Sequence, residues 1–283
     1  MLARRLPTIL PPLSMDEALE TTKIHSVSAK SNRDSGLVSS RPFRSPHHTI
    51  SDVALVGGGV NPSPGEISLA HNGVLFLDEL TEFKRSVLEV MRQPLEERVI
   101  SISRAKFSVD YPASFMLIAS MNPCPCGYYN HPDKPCVCAP GAVSKYLNKI
   151  SGPLLDRIDL HVEVTPVSFE ELQQEREHEK SESIRSRVEK AKDIQLNRYV
   201  DTKVNANSAM NSKQLESHTK LNPAAKQILA NAMEKLGLSA RAYDRIKKVS
   251  RTIADLEGAE DIQVHHVSEA IQYRSLDRES WGS

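Results

Sequence analysis

The sequence predicts an α/β layer fold followed by a smaller all-helical domain. Two continuous apolar runs, Val74–Leu77 and Phe115–Ala119, have the composition of buried parallel strands. Up to about residue 166 such runs alternate with short amphipathic helices, as expected for helices packed on a sheet. We therefore expect an α/β core over residues 1–166, then a helical linker and compact helical domain over 167–283. A more exposed strand is expected where apolar and polar residues alternate at Leu160, Val162 and Val164.

The composition is that of a globular protein without a strong net charge. Hydrophobic residues make up 39% of the 283 residues, and 36 basic residues balance 36 acidic ones. No global field draws such a chain to nucleic acid, so a DNA contact needs a local basic patch. No run approaches the roughly 18 apolar residues that cross a bilayer, and the start does not resemble a secretory signal. We expect a cytoplasmic protein without a membrane partner.

Several helix ends can be read from capping residues. Ser14 followed by Glu17 is a capping box. Thr81 is expected to begin a helix that Pro94 ends. The buried face of that helix is predicted to comprise Phe83, Val87 and Met91.

The helical domain carries similar signals. Asn222-Pro223 is expected to open one helix and Gly237 to close it, while Ser239 caps the next helix and Gly258 follows its end. The inward-facing residues of that second helix are predicted to be Tyr243, Ile246, Val249, Ile253 and Leu256.

An acidic pair follows the first apolar strand. Asp78 and Glu79 stand after Val74–Leu77, at the edge where open α/β sheets bind their ligands. Nucleotide hydrolysis requires one carboxylate near Mg²⁺ and a second group that orients or deprotonates the attacking water. The pair suits both roles. Two solvated acids at the end of a strand are the alternative explanation.

Two further polar side chains suit the same chemistry. Asn122 lies just beyond the second strand, and its amide offers a donor and an acceptor to a water or a phosphate oxygen. Arg157, in the segment Leu154–Asp159, can stabilise charge on a transferring phosphoryl group. A salt bridge from this arginine to neighbouring Asp156 or Asp159 is the alternative.

The order of these elements resembles an AAA+ ATPase. An apolar strand with Asp-Glu, a strand leading to Asn, Leu-Leu-Asp-Arg and a helical region with Ser239-Ala-Arg-Ala242 follow one another. Other segments resemble specifically the ComM/YifB branch of magnesium chelatase-like proteins, and the resemblance covers essentially the whole chain. These segments are Arg41-Pro-Phe-Arg-Ser-Pro-His-His-Thr49, Pro64-Gly-Glu-Ile-Ser-Leu-Ala-His71 and Asn122-Pro-Cys-Pro-Cys-Gly127.

The resemblance implies a role for each candidate residue in a three-layer P-loop NTPase core with a helical lid. Asp78, as a magnesium ligand, and Glu79 match the Walker B pair, and Asn122 matches sensor 1. Arg157 resembles the arginine finger that reaches the neighbouring subunit's nucleotide, and Arg241 resembles sensor 2 on the lid. The implied protein is a hexameric ring that uses ATP and Mg²⁺ to drive DNA branch migration during recombination in natural transformation. A chelatase-type chaperone ATPase acting on a protein partner and a non-catalytic interaction module are the alternatives.

The sequence departs from the family at its start. It contains no Gly-rich stretch ending in Lys-Ser or Lys-Thr. In the family, a segment like Met1–Arg5 directly follows that loop, so the first strand, the phosphate-contacting lysine and the Mg²⁺-binding hydroxyl are expected to be missing. We expect weak or no ATP hydrolysis by these 283 residues alone, and an unpaired sheet edge.

All four cysteines lie in one loop, 124–138. They form the pairs Cys124-Pro-Cys126 and Cys136-Val-Cys138. Four thiolates from one loop can hold Zn²⁺ tetrahedrally and stiffen the loop, which we expect here. Each pair is spaced more tightly than the usual roughly two to four intervening residues of zinc sites. Free thiols or two disulfides are the alternatives.

Two other features carry weaker predictions. Residues 98–109 alternate like two short strands around a turn, at the place of the hairpin that points into the central pore of related motors. Arg104 and Lys106 near its tip are candidates to grip a phosphate backbone, with a solvated basic turn as the alternative. His47 and His48 lack a carboxylate nearby in the sequence, so we expect structural or interface roles for them.

Overall fold

The fold is described by a computed structural model for most of the chain. The described residues are 2–28, 36–59, 62–104, 107–164, 179–202 and 204–274. The chain divides into two compact units, Met1–Arg157 and Ile158–Ser283. The first contains a parallel sheet and helices, and the described part of the second is helical. The predicted fold class, an α/β core followed by a helical region, is confirmed.

The elements follow the chain in this order. The strands are β1 (Phe43–Arg44), β2 (Gly57–Gly58), β3 (Ser63–Pro64), β4 (Val74–Leu77), β5 (Val99–Arg104), β6 (Phe107–Pro112) and β7 (Met116–Ala119). The first unit's α-helices are α1 (Leu6–Ile9), α2 (Met15–Ser26), α3 (Asp52–Val56), α4 (Glu66–Leu69), α5 (Arg85–Glu89), α6 (Arg92–Glu97), α7 (Ala142–Leu147) and α8 (Gly152–Leu155). Those of the second unit are α9 (Ser181–Arg198), α10 (Ser212–His218), α11 (Pro223–Lys235), α12 (Ala240–Glu257) and α13 (Val264–Gln272). Short 3₁₀ turns cover Leu2–Arg5, Leu80–Glu82 and Asn207–Ala209.

Strand β4 is the centre of the parallel sheet, whose order is β1-β4-β7. Val74 pairs with Phe43 on one side and with Met116 on the other. Val74, Leu75 and Leu77 are buried, as predicted for this apolar run, and Phe76 is half-buried. Strand β7 pairs only with β4 among the described residues. The prediction of a buried strand is wrong here, because Met116 is 40% exposed and the rest of β7 is half-buried. The carboxyl ends of β4 and β7 therefore lie side by side.

The predicted hairpin is present and extends to Pro112. Strands β5 and β6 pair antiparallel with Arg104 opposite Phe107, which leaves residues 105 and 106 as the connection. Ile100, Ile102 and Tyr111 are buried in the core of the first unit. The side chains of Arg104 and Lys106 lie outside the described part of the chain.

Local capping signals predict helix ends better than they predict helix continuity. The Ser14–Glu17 capping box is present at the start of α2. The helix predicted from Thr81 is wrong in its bounds, since a 3₁₀ turn, α5 and α6 replace it. Pro94 does not end a helix but lies in the first turn of α6, where a proline removes no helical hydrogen bond. The predicted inward residues are nevertheless buried: Phe83, Val87 and Met91.

The second unit confirms the predicted caps. Asn222 caps α11 before Pro223, and Ser239 Oγ accepts a hydrogen bond from Ala242 N at the start of α12. Gly258 follows α12 with φ of 76°, a conformation that favours glycine. The predicted inward positions of Tyr243 and Leu256 are wrong, since these side chains are exposed. The strand predicted at Leu160, Val162 and Val164 is also absent from the described residues, because no neighbouring strand pairs with it.

A buried ionic network fixes α12 in the second unit. The fully buried carboxylate of Asp255 accepts hydrogen bonds from Arg198 and Asn207 (both 2.7 Å) and from Arg251 (3.1 Å). The hydrogen bond with Asp255 raises the pKa of Arg198. Several charge-assisted bonds converge on one carboxylate, so each buried charge has a partner. The network joins α9, the Asn207–Ala209 turn and α12, the helix that carries Arg241.

Helix length and polarity also bear on membranes. None of the helices in the described ranges is both long enough and apolar enough to cross a bilayer.

Candidate nucleotide site and cysteine cluster

The acidic pair lies on a turn that is tied to the neighbouring strand end. Asp78 Oδ1 accepts hydrogen bonds from Ser120 Oγ and from Glu79 N (3.1 Å). Leu80 N donates to Ser120 O at 2.8 Å. These bonds connect the end of β4 with the end of β7, so the Asp78 carboxylate has a defined position. Asp78 and Glu79 are both exposed, as ligand-binding carboxylates must be before a ligand arrives.

Glu79 has an unusual backbone conformation. Its φ of 54° and ψ of 50° lie in the left-handed region, which costs a non-glycine residue about 1–2 kcal/mol. Such strain is concentrated at functional turns, where it aims a side chain. Here the side chain of Glu79 is 59% exposed, and its Oε2 lies 3.2 Å from Nδ1 of His48.

Glu79 and Asn122 line one cleft, whose volume is about 470 Å³. Helix α7 and the turn after it supply Lys145 and Lys149 to the same cleft. Lys149 pairs there with Glu82, whose carboxylate lies 3.5 Å from its Nζ. The cleft therefore combines an exposed carboxylate, an amide and cationic side chains, a set that suits a phosphate group and an attacking water.

His48 contacts Glu79, which the sequence analysis did not predict. It lies on the loop after β1, the parallel neighbour of β4. Its ring packs against His47 at 4.0 Å between centroids and meets the edge of Phe83 at 6.3 Å. No carboxylate is near these histidines in the sequence, but the pairing of β1 with β4 brings Glu79 to His48.

Arg157 lies in a different environment from the cleft residues. Its guanidinium is buried, forms a salt bridge with Glu96 at 2.7 Å and donates to the carbonyl oxygen of Pro153 at 2.5 Å. The ion pair expected as an alternative, with Asp156 or Asp159, is therefore replaced by one with Glu96 on α6. A contact with a neighbouring subunit's phosphate requires this side chain to leave Glu96.

Arg241 belongs to the second unit. It is the second residue of α12, and it is exposed. The structure thus brings Asp78, Glu79 and Asn122 together at one sheet edge and leaves Arg157 paired with Glu96 within the first unit. The roles of Arg157 and Arg241 stay predictions.

The four cysteines converge in one cluster. Cys124 Sγ lies 3.3 Å from the Sγ of Cys126 and 3.8 Å from that of Cys136, and Cys126 and Cys136 are 3.5 Å apart. All four sulfur atoms, including that of Cys138, lie within 4.8 Å of one another. The cysteines are free thiols, so the disulfide alternative is not realised. A tetrahedral zinc site with Zn–S of about 2.3 Å has sulfur atoms roughly 3.8 Å apart, close to these distances.

Hydrogen bonds within the cluster change the pKa of its thiols. A hydrogen bond from the Tyr128 backbone lowers the pKa of Cys126 to about 6. The pKa of Cys138 is raised to about 12: a backbone hydrogen bond with Cys126 lowers it, but desolvation and bonds to the other cysteines outweigh that effect. One thiolate therefore forms near neutral pH beside the thiol of Cys138, which stays protonated. A cation bound by the four sulfur atoms would displace the remaining thiol protons.

Comparison with known proteins agrees with this architecture. Residues 1–172 match the family model for magnesium chelatase, subunit ChlI, and residues 178–274 match the model for its C-terminal region. The chain belongs to the magnesium chelatase ChlI family. Both units are therefore parts of one family architecture, an AAA+ core with a helical lid.

Individual relatives place the chain within the ChlI family. It is 47% identical over 279 residues to competence protein ComM of Haemophilus influenzae, covering 98% of this chain and 53% of that protein. It is 44% identical over 281 residues to YifB of Salmonella typhimurium, covering 98% of this chain and 54% of YifB. The ChlI subunit of Cyanophora paradoxa is 22% identical over 76% of this chain and 55% of its own length. The chain thus spans about half the length of these relatives.

Proposed function

We propose that this chain is the nucleotide-hydrolysing part of an ATP-driven DNA motor. The observation that carries the proposal is the single cleft where Glu79 and Asn122 lie beside the anchored carboxylate of Asp78. The similarity to competence protein ComM favours DNA as the substrate. The proposed class of activity is branch migration, and reduced thiols together with a DNA substrate indicate the cytoplasm.

Each cleft residue has a distinct proposed role in hydrolysis. Asp78 would hold Mg²⁺, which offsets charge on the phosphates when bound. Glu79 accepts a proton from the attacking water, since its side chain is exposed and faces the cleft. Asn122 holds the same water or a phosphate oxygen through its amide. Arg241 senses the bound nucleotide from the lid, and Arg157 acts on the nucleotide of the next subunit.

Ring assembly is part of the proposal. An arginine that acts on a neighbour's nucleotide requires ATP at a subunit boundary. A hexameric ring has six such boundaries. The β5–β6 hairpin would then present Arg104 and Lys106 to DNA in the central channel. A ring repeats this small basic patch, so a chain with a balanced overall charge can still hold a phosphate backbone.

The cysteine cluster is proposed as a structural zinc site. Its four ligands are Cys124, Cys126, Cys136 and Cys138, and the sulfur distances fit a tetrahedral ion. Pro125, between the first two ligands, lines the same cleft as Asn122. Bound zinc would fix the loop that follows Asn122 and so restrict the position of its amide.

A chaperone-type ATPase acting on a protein partner is the second candidate. The relation to a magnesium chelatase subunit favours it, because a subunit works within a protein assembly. The same cleft residues serve this function, so only the stimulating partner distinguishes the two.

The two candidates are separated by an assay on branched DNA. The test protein carries a strand and a Gly-x-x-x-x-Gly-Lys-Ser/Thr loop ahead of this chain, and we call it the loop-containing protein. With ATP it is expected to convert a labelled four-way junction into duplex products, and a non-hydrolysable ATP analogue is expected to give none. Unchanged junctions, together with ATP hydrolysis that DNA does not stimulate, would favour the chaperone-type function.

A further inference from the structure

The contact between His48 and Glu79 extends the proposed function, on which this inference rests. Glu79 is the proposed base of hydrolysis, and Nδ1 of His48 lies 3.2 Å from one of its carboxylate oxygens. We propose that His48 is a positioning residue, which pairs with Oε2 of Glu79 and leaves Oε1 to face the attacking water.

The rings of His47 and Phe83 pack against the His48 ring. It packs on the His47 ring at 4.0 Å, and Nδ1 of His47 lies 3.0 Å from Thr49 Oγ1. Phe83, which is 3% exposed, meets the His48 ring edge-on. Because these contacts hold the imidazole from two directions, it can restrain a more mobile partner.

Glu79 needs such a restraint. Its side chain is 59% exposed and turns about three single bonds, so its carboxylate samples many positions when no partner holds it. A general base must lie within hydrogen-bond reach of the water, and an error of about 1 Å can cost roughly 100-fold in rate. The left-handed backbone aims the side chain, and His48 fixes its end.

The contact is also selective for one ring nitrogen. Nδ1, one bond from Cγ, faces Glu79, whereas Nε2 lies on the far side of the ring. The side-chain nitrogen of asparagine is also one bond from Cγ, so asparagine can place a donor where Nδ1 lies. Glutamine carries its nitrogen one bond farther out.

The test compares variants of the loop-containing protein by steady-state phosphate release. His48→Ala is expected to lower kcat about 10- to 100-fold and to leave the KM for ATP within about threefold. His48→Asn is expected to restore kcat to within about threefold of the unsubstituted protein, and His48→Gln to restore less. In a Glu79→Gln background, His48→Ala should cause no further loss. His265→Ala is the control, since it removes another His–Glu pair, with Glu257 at 2.9 Å.

The outcomes separate this inference from the proposed function. If the unsubstituted protein hydrolyses ATP and His48→Ala leaves kcat unchanged or raises it, the inference is wrong and the proposed function stands. The inference is equally wrong if asparagine is no better than alanine at this position. If the unsubstituted protein releases no phosphate, the proposed function fails and this inference fails with it.

Discussion

Replacing Glu79 with glutamine in the loop-containing protein is expected to lower ATP turnover by about 100-fold or more while ATP binding is retained. A general base contributes roughly 10²- to 10⁴-fold, and an amide of the same shape cannot accept the proton. Because the substitution keeps the size of the side chain, the cleft should still admit the nucleotide. Phosphate release and the binding of a fluorescent ATP analogue measure the two quantities separately.

Glu82→Gln is the matched control for this substitution. Glu82 is another acid of the same cleft, where it pairs with Lys149, and it has no proposed part in proton transfer. We expect its turnover to stay within about fivefold of the unsubstituted protein. Equal losses at both positions would mean that the cleft needs negative charge rather than a base at Glu79, which contradicts the proposed role.

Replacing Cys124 with serine is expected to weaken the binding of zinc at the proposed site. Structural zinc sites have apparent binding free energies of about 10–16 kcal/mol. Divided over four ligands, this is roughly 2.5–4 kcal/mol for each thiolate. The loss of one ligand should therefore weaken zinc binding by about 100-fold or more. Cys124 is also buried, and its sulfur accepts a hydrogen bond from Tyr129 N at 3.3 Å. Competition with a coloured zinc chelator measures the affinity.

Val137→Ser is the control for the cysteine loop. Val137 lies between two of the ligands and is 77% exposed, so its replacement changes the loop without removing a thiol. This variant should keep one zinc per chain. Absence of zinc from the unsubstituted chain, purified with zinc and without chelators, would rule out the proposed site.

The features that the sequence predicts well depend on neighbouring residues. The capping box of Ser14 and Glu17 and the helix ends at Ser239 and Gly258 each form within one turn, so no distant contact can displace them. The cysteines are a similar case, because one short loop must bring them together. Asp78 and Asn122 were predictable for a different reason: parallel strands end at the same edge of a sheet.

The features that the sequence analysis missed depend on the fold. His48 meets Glu79 only because β1 pairs with β4, and Arg157 meets Glu96 only through the packing of α6. The helix predicted from Thr81 is divided into a 3₁₀ turn, α5 and α6, while Phe83 and Met91 are in the core. Pairs so distant in sequence leave no periodic or local signal.

ATP hydrolysis by the loop-containing protein, measured beside this chain alone, tests the central claim most directly. The claim is that Asp78, Glu79 and Asn122 form the hydrolytic side of an ATP site. We expect turnover in the loop-containing protein that rises when four-way DNA is added, and background turnover in the 283 residues alone, which contain no phosphate-binding lysine loop. Rapid hydrolysis by this chain alone, or none by the loop-containing protein, would contradict the claim.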